Sequence, residues 1–98
     1  MIAFDAGALE DLERILDFNS GAFDEEFALH QIRLIKLGVL ILNDFPRMGR
    51  KVPRSQLREL VIPTTRRTGF VALYEYDEFE RRVRIVAIRH QRERGYAR

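Results

Sequence analysis

The sequence contains no cysteine among its 98 residues and only two lysines. The lack of cysteine excludes disulfide bonds, thiolate catalysis and zinc sites with sulfur ligands. Long hydrophobic runs are also missing, so the sequence predicts no membrane-spanning helix. No basic residue precedes Arg14, which argues against a secretory or transit signal. We therefore expect a single soluble, cytoplasmic domain over residues 1–98, a common size for one hydrophobic core.

Charge is divided unevenly along the chain. Residues 1–45 contain nine acidic and three basic side chains, a net charge of −6, whereas residues 46–98 contain fourteen basic and six acidic side chains, a net charge of +8. Such a run of one sign can serve solubility alone, but it also creates a local field that speeds association with polyanions. The second half therefore indicates an anionic partner, either a nucleic acid or an acidic protein segment.

The first half has the periodicity of two helices. Apolar residues recur at helical spacing over residues 8–16, and a turn signal at residues 19–21 predicts the end of the first helix. Asp24 predicts an N-cap for the second helix, which is expected to end at Phe45, before Pro46. The second helix carries a broad apolar stripe, for which we expect burial on two sides, formed by Ala28, Ile32, Leu34, Ile35, Leu37, Val39, Ile41 and Leu42.

Three β-type segments follow, at residues 57–62, 70–77 and 82–90, after a basic loop expected at residues 47–53. Alternation in the last segment predicts a face toward the helices formed by Val83, Ile85 and Ala87. The opposite, more open face then carries Arg84, Ile88 and His90. With residues 2–4 as a further strand, the sequence predicts an α+β fold. In this fold a helix hairpin packs on one face of a small, mainly antiparallel sheet, in the order β-α-α-β-β-β.

Four segments together carry a family resemblance. They are LNDFPRMGR at residues 42–50, RELVIP at residues 58–63, GFVALY at residues 69–74 and IRHQRERGY at residues 88–96. In this order and spacing the chain resembles the RelE/ParE superfamily of bacterial type II toxins. The resemblance implies the fold above and growth arrest by the free toxin. It also implies a cognate, ParD-like antitoxin, encoded elsewhere, which wraps the toxin with an acidic, partly apolar segment in a hetero-oligomer.

The superfamily implies two alternative activities. ParE-like members inhibit DNA gyrase and perform no chemistry of their own, whereas RelE-like members are endoribonucleases that cleave mRNA on the ribosome. The loop at residues 46–50 and the ending at residues 89–92 are closer to ParE-like chains, and two lysines are too few for the lysine-rich sheet of the ribonucleases. Gyrase is therefore the expected target and the ribosome with mRNA the alternative. A second alternative is a non-toxic nucleic-acid-binding module. No cofactor or metal is expected.

The candidate site residues differ between these activities. For a gyrase inhibitor, the expected target-binding residues lie at the C-terminal end and are Arg89, His90, Arg92, Arg94 and Tyr96. For a ribonuclease, proton transfer would come from His90 and Tyr96, with charge from Arg66 and Arg89. In either case the expected antitoxin-binding residues are Arg58, Arg66, Arg67 and Arg84.

Overall fold

The computed structural model describes residues 1–22 and 24–97. Its elements, in chain order, are β1 (Ile2–Phe4), α1 (Ala6–Ala22), α2 (Glu25–Val39), a 3-10 turn (Leu40–Asn43), β2 (Arg50–Lys51), β3 (Leu57–Pro63), β4 (Gly69–Asp77) and β5 (Arg82–His90). Within the described residues the sheet has five strands in the order β1-β5-β4-β3-β2. β1 pairs parallel with β5, and the other pairs are antiparallel. The two helices pack on one face, which confirms the predicted α+β fold.

The helix hairpin begins and ends at local signals, with one exception. Asp24 caps α2 as predicted, because its carboxylate accepts a hydrogen bond from the Phe27 amide at 2.7 Å. The predicted turn at residues 19–21 is wrong, since α1 continues to Ala22. Gly21 keeps a negative φ, and each of the three residues costs at most about 1 kcal/mol inside a helix. Such a cost does not interrupt a helix that is already packed. No helix in the described parts of the chain is long and apolar enough to cross a membrane.

The inner half of the α2 stripe forms the core, and the outer half does not. Val39 is 1% exposed and packs with Ile35 and Leu42 against the sheet. Helix α2 lies close to strand β3, because a Cβ atom added at Gly38 would lie 2.5 Å from a methyl carbon of Ile62. By contrast Leu37 is 63% exposed, so the expected burial on two sides is wrong for the outer flank. One sheet and one neighbouring helix do not enclose so broad a stripe.

A β-bulge in β5 changes which side chains face the helices. Leu73 pairs with Ala87, but Tyr74 pairs with Ile85, so β5 has one extra residue at this point. The extra residue inverts the alternation of all later side chains. Ile88 and His90 therefore lie on the helix side, and Ile88 is fully buried. The prediction that Ile88 and His90 share the open face with Arg84 is wrong, as is the placement of Ala87 on the helix side.

A buried carboxylate joins α1 to the edge of β5. Because β1 is only three residues long, the Ile88 amide beyond it has no strand partner and instead donates to Asp11 Oδ2 at 2.8 Å. Asp11 is 2% exposed and also lies 3.8 Å from the Arg14 guanidinium. A single helix side chain thus satisfies a backbone group that the short β1 leaves open.

We expect Asp11→Ala to reduce the free energy of unfolding by about 1.5–3 kcal/mol, because a buried amide loses a charged acceptor. Urea denaturation monitored by circular dichroism measures this loss. Asp11→Asn keeps an acceptor of the same size and should recover part of the stability. If the alanine variant were as stable as the parent, the bond to Ile88 would contribute nothing to the fold.

Candidate partner-binding surfaces

The loop at residues 46–50, which leads into β2, is held in place by the buried Tyr74. The Tyr74 hydroxyl donates to the Pro46 carbonyl and accepts from the Gly49 amide, both at 2.8 Å. A Cβ atom at Gly49 would lie 2.6 Å from the Tyr74 ring, so the loop approaches as closely as it does only with glycine there. Burial raises the pKa of Tyr74, so its hydroxyl remains a donor to a higher pH than that of an exposed tyrosine. The loop at residues 46–50 is therefore a rigid part of the surface. It ends in β2, the short strand that the sequence analysis placed within a loop.

Two of the four arginines expected to contact the antitoxin have partners within the chain. Arg58 donates to the carbonyls of Arg47 at 3.1 Å and Gly49 at 2.9 Å, so it braces the same loop. Arg84 contacts the carboxylates of Asp5 and Glu75. These contacts, the hydrogen bond to Glu75 first, raise the pKa of the Arg84 guanidinium.

The other two arginines, Arg66 and Arg67, lie at the tip of the turn between β3 and β4. The Thr65 hydroxyl shapes this turn by accepting from the amides of Arg67 at 3.2 Å and Thr68 at 3.0 Å. Both arginine side chains are exposed. Neither guanidinium has a hydrogen-bond or ion-pair partner within residues 1–22 and 24–97. The turn therefore presents two uncompensated positive charges at one end of the sheet.

The C-terminal tail, residues 91–97, leaves β5 and turns toward the sheet face opposite the helices. Arg89 stabilises this turn, because its Nη1 atom donates to the carbonyl of Glu93 at 2.9 Å and to those of His90 and Gln91 at 3.3 Å each. The Arg89 guanidinium also lies 5.3 Å from the centre of the Tyr96 ring. Arg89 thus holds the tail in place from the sheet side, and its own side chain is mostly buried.

A glutamate on β3 fixes the far end of the tail. Glu59 Oε2 accepts from the Tyr96 hydroxyl at 2.6 Å and lies 3.8 Å from Arg89, while Oε1 accepts from Arg50 at 2.9 Å. The Glu59 side chain is 13% exposed. The hydrogen bond from Tyr96 is the largest cause that lowers the pKa of Glu59. Burial raises the pKa of Tyr96 most, and the hydrogen bond to Glu59 raises it further. We name Glu59, Arg89 and Tyr96 the tail anchor.

His90 lies on the other face of the sheet from Tyr96. Its ring packs edge-on against Phe70, with centroids 5.3 Å apart. Its Nδ1 atom accepts from the Arg92 amide at 3.0 Å, and its own amide donates to Glu93 at 2.9 Å. The structure therefore does not bring the two candidate proton-transfer groups together.

Arg92 and Arg94 are the exposed cations of the tail. Their guanidinium groups make no hydrogen bond or ion pair with any part of the chain that the structure describes. The five target-binding candidates are thus of two kinds: two free charges, and three residues that shape the tail. No cluster of three or more potential metal ligands occurs among the described residues.

Sequence reasoning missed Glu59, although a signal was present. It is the single acidic residue in β3 and alternates onto the face opposite Leu60 and Ile62, which are buried against the helices. An acid in the middle of a strand within a strongly basic half indicates an internal cation or phenol partner. Its pairing with Tyr96, 37 positions along the chain, has no local signature.

Comparisons with known proteins identify the family and the fold of the chain. Residues 2–95 match the family described as ParE toxin of type II toxin-antitoxin system, parDE. The chromosomal ParDE system from P. aeruginosa has a similar chain, with a TM-score of 0.72 and 24% identity over 89% of this chain and 90% of that one. A chain of the intact E. coli RelBE toxin-antitoxin complex has a TM-score of 0.59 and 14% identity over 90% and 92%. No curated protein sequence matches the chain. The expected RelE/ParE-like fold and the closer resemblance to ParE are confirmed.

Proposed function

The chain belongs to the ParE toxin family of type II toxin-antitoxin systems, and from this premise we propose that it arrests growth by inhibiting DNA gyrase. In this proposal it acts in the cytoplasm, forms a hetero-oligomer with a ParD-like antitoxin and needs neither cofactor nor metal. The tail supplies the contact surface for gyrase. Arg92 and Arg94 make the charged contacts, while Arg89, His90 and Tyr96 hold the tail in shape.

The observation that supports a contact mechanism is the separation of His90 and Tyr96. Cleavage of RNA at a 2′-hydroxyl needs a base and an acid that reach the same phosphodiester. Here the two side chains lie on opposite faces of the sheet, the Tyr96 hydroxyl donates to Glu59, and Nδ1 of His90 accepts from a backbone amide. The raised pKa of Tyr96 also opposes its use as a phenolate base. Free cations on an ordered tail, in contrast, suit a protein contact.

The proposal is tested by inducing the protein alone in bacteria and measuring plasmid supercoiling and mRNA integrity in the same cultures. Loss of negative supercoiling with intact mRNA is expected, together with inhibition of purified gyrase in vitro. Ribosome-bound mRNA that is cleaved while supercoiling is unaffected would overturn the proposal and move the assignment to the ribonuclease alternative.

We further propose that the antitoxin approaches the sheet end that carries Arg66 and Arg67. The antitoxin-binding surface expected from the sequence includes Arg58 and Arg84 as well, but both have partners within the chain. We therefore assign them a share of the positive field, and assign the direct contacts to the two free arginines. An acidic segment would be steered to this turn by charges that no internal carboxylate compensates.

The double variant Arg66→Glu, Arg67→Glu is expected to slow association with the cognate antitoxin by about tenfold at low salt, with a weaker effect as salt screens the charges. Stopped-flow or surface plasmon resonance measures the rate. Arg81→Glu, Arg82→Glu is the matched control, because it makes the same change in charge at the opposite end of the sheet, where the turn after β4 meets the start of β5. Equal rates for both double variants would remove the argument for a localised antitoxin surface.

A further inference from the structure

We propose that Glu59 is the positioning residue of the target-binding tail: its carboxylate, on the rigid strand β3, directs the segment that carries Arg92 and Arg94. That the tail serves target binding rests on the proposed function. That Glu59 orders the tail does not.

Both oxygens of the Glu59 carboxylate are used. Oε2 accepts the short hydrogen bond from Tyr96, with the Arg89 guanidinium nearby, and Oε1 accepts from Arg50 on the edge strand β2. Hydrogen bonds to an ionised acceptor are stronger than those between neutral groups. Glu59 is mostly shielded from water, so these contacts are screened less than those on an open surface.

Most of the remaining contacts of the tail set the turn after β5, and Glu93 also lies 3.6 Å from the Arg14 guanidinium of α1. The Glu93 amide donates to the His90 carbonyl and the Arg92 amide to the His90 ring, and both contacts lie within four residues of the strand end. Beyond Glu93, the Tyr96–Glu59 bond is the single hydrogen bond from residues 94–97 to the rest of the described chain. A Cβ atom at Gly95 would meet nothing within 4 Å, so Gly95 adds no packing, whereas Tyr96 contacts Glu59 through its hydroxyl and Arg89 through its ring.

Glu59 also separates two positive charges. Arg50 and Arg89 approach the same carboxylate from different strands. With a neutral residue at position 59, the two guanidinium groups would lose the charge between them and Tyr96 its ionised acceptor. Arg89 would then be free to leave the tail carbonyls, which would release the segment with Arg92 and Arg94.

The test compares Glu59→Gln and Tyr96→Phe with a matched control, Glu75→Gln. Glu75 lies in the neighbouring strand β4 on the same sheet face as Glu59, so the control makes the same change in charge there. It also removes the charge of a carboxylate that is paired with an arginine, in this case Arg84. The first readout is the rate at which carboxypeptidases A and B remove the C-terminal residues as far as position 96. The second is the position of the Tyr96 signal in ¹³C-tyrosine NMR spectra. The third is the concentration that half-inhibits purified gyrase.

We expect both anchor variants to speed release of the tail by about tenfold or more, the loss of one charge-assisted hydrogen bond. The Tyr96 signal in Glu59→Gln should move toward that of an exposed tyrosine, and half-inhibition of gyrase should need about tenfold more protein. Glu75→Gln should match the parent in all three readouts. Melting curves should stay close to the parent curve, which separates a positioning role from general loss of the fold.

An unchanged rate of tail release in Glu59→Gln and Tyr96→Phe would overturn the proposal. So would a released tail with full potency against gyrase, because the tail would then need no positioning. A parent that never inhibits gyrase would contradict the proposed function instead, and the first two readouts would still decide whether Glu59 orders the tail.

Discussion

Val39→Asp is expected to lower the free energy of unfolding by at least about 3 kcal/mol, because it places an unpaired charge among apolar side chains. Val39 is almost fully buried where α2 meets the sheet, and no cation lies in the core cluster around it. Domains of this size have a total free energy of unfolding of about 5–15 kcal/mol. The variant should therefore melt far below the parent or be unfolded at 37 °C, as measured by circular dichroism.

Leu40→Asp is the matched control for this prediction. Leu40 follows Val39 directly but is 50% exposed, so the same new carboxylate remains in water. Its cost should stay within about 1 kcal/mol, the usual range for a surface substitution. Equal melting temperatures for the two variants would mean that the helix face toward the sheet is wrongly assigned.

The sequence predicts most of the architecture because its main elements carry local signals. Pro63 and Gly69 bound the connection between β3 and β4, and the observed strands start and stop within one residue of the segments expected from alternation. Asp24 caps α2 through a contact three residues away. Such features depend on neighbours in the chain, so periodicity and turn chemistry are sufficient to find them.

The errors have a different origin. The bulge in β5 lies opposite the step from Leu73 to Tyr74 in β4, and no residue type in β5 marks it. Once it is missed, strict alternation places Ile88 and His90 on the wrong face. The strand β2 is too short for any periodicity, because its two residues are held by pairing with Arg58 and Glu59.

The candidate site could be predicted as a list of residue types but not as a set of roles. An arginine count does not distinguish Arg89, which binds three carbonyls, from Arg92 and Arg94, which bind none within the described chain. The distinction depends on Glu59 and Tyr96, whose contact spans 37 positions. Long-range pairing of this kind carries no composition signal, although it decides which cations remain available to a partner.

Deletion of residues 91–98 is expected to abolish growth arrest, whereas single substitutions at Arg92 and Arg94 reduce it in steps. In the proposed function the tail is a contact surface, and single truncations at such surfaces usually cost a few kcal/mol or less. Arg92→Ala and Arg94→Ala remove exposed side chains without internal partners in the described chain, so the fold should be unaffected. Growth after induction and half-inhibition of gyrase measure both series.

A stepwise loss of toxicity indicates a contact surface, whereas complete loss from one substitution indicates catalysis. In a ribonuclease, His90→Ala or Tyr96→Phe would each remove a proton-transfer group and cost about 10²–10⁴ in rate while leaving antitoxin binding intact. In the proposed function, Tyr96→Phe weakens the tail anchor and lowers potency only partly. The single variants Arg81→Ala and Arg82→Ala, at the point where β5 starts and far from the tail, are the matched controls and should leave toxicity at the parent level. Complete loss of toxicity from His90→Ala alone, with an unchanged melting curve, would contradict the contact mechanism.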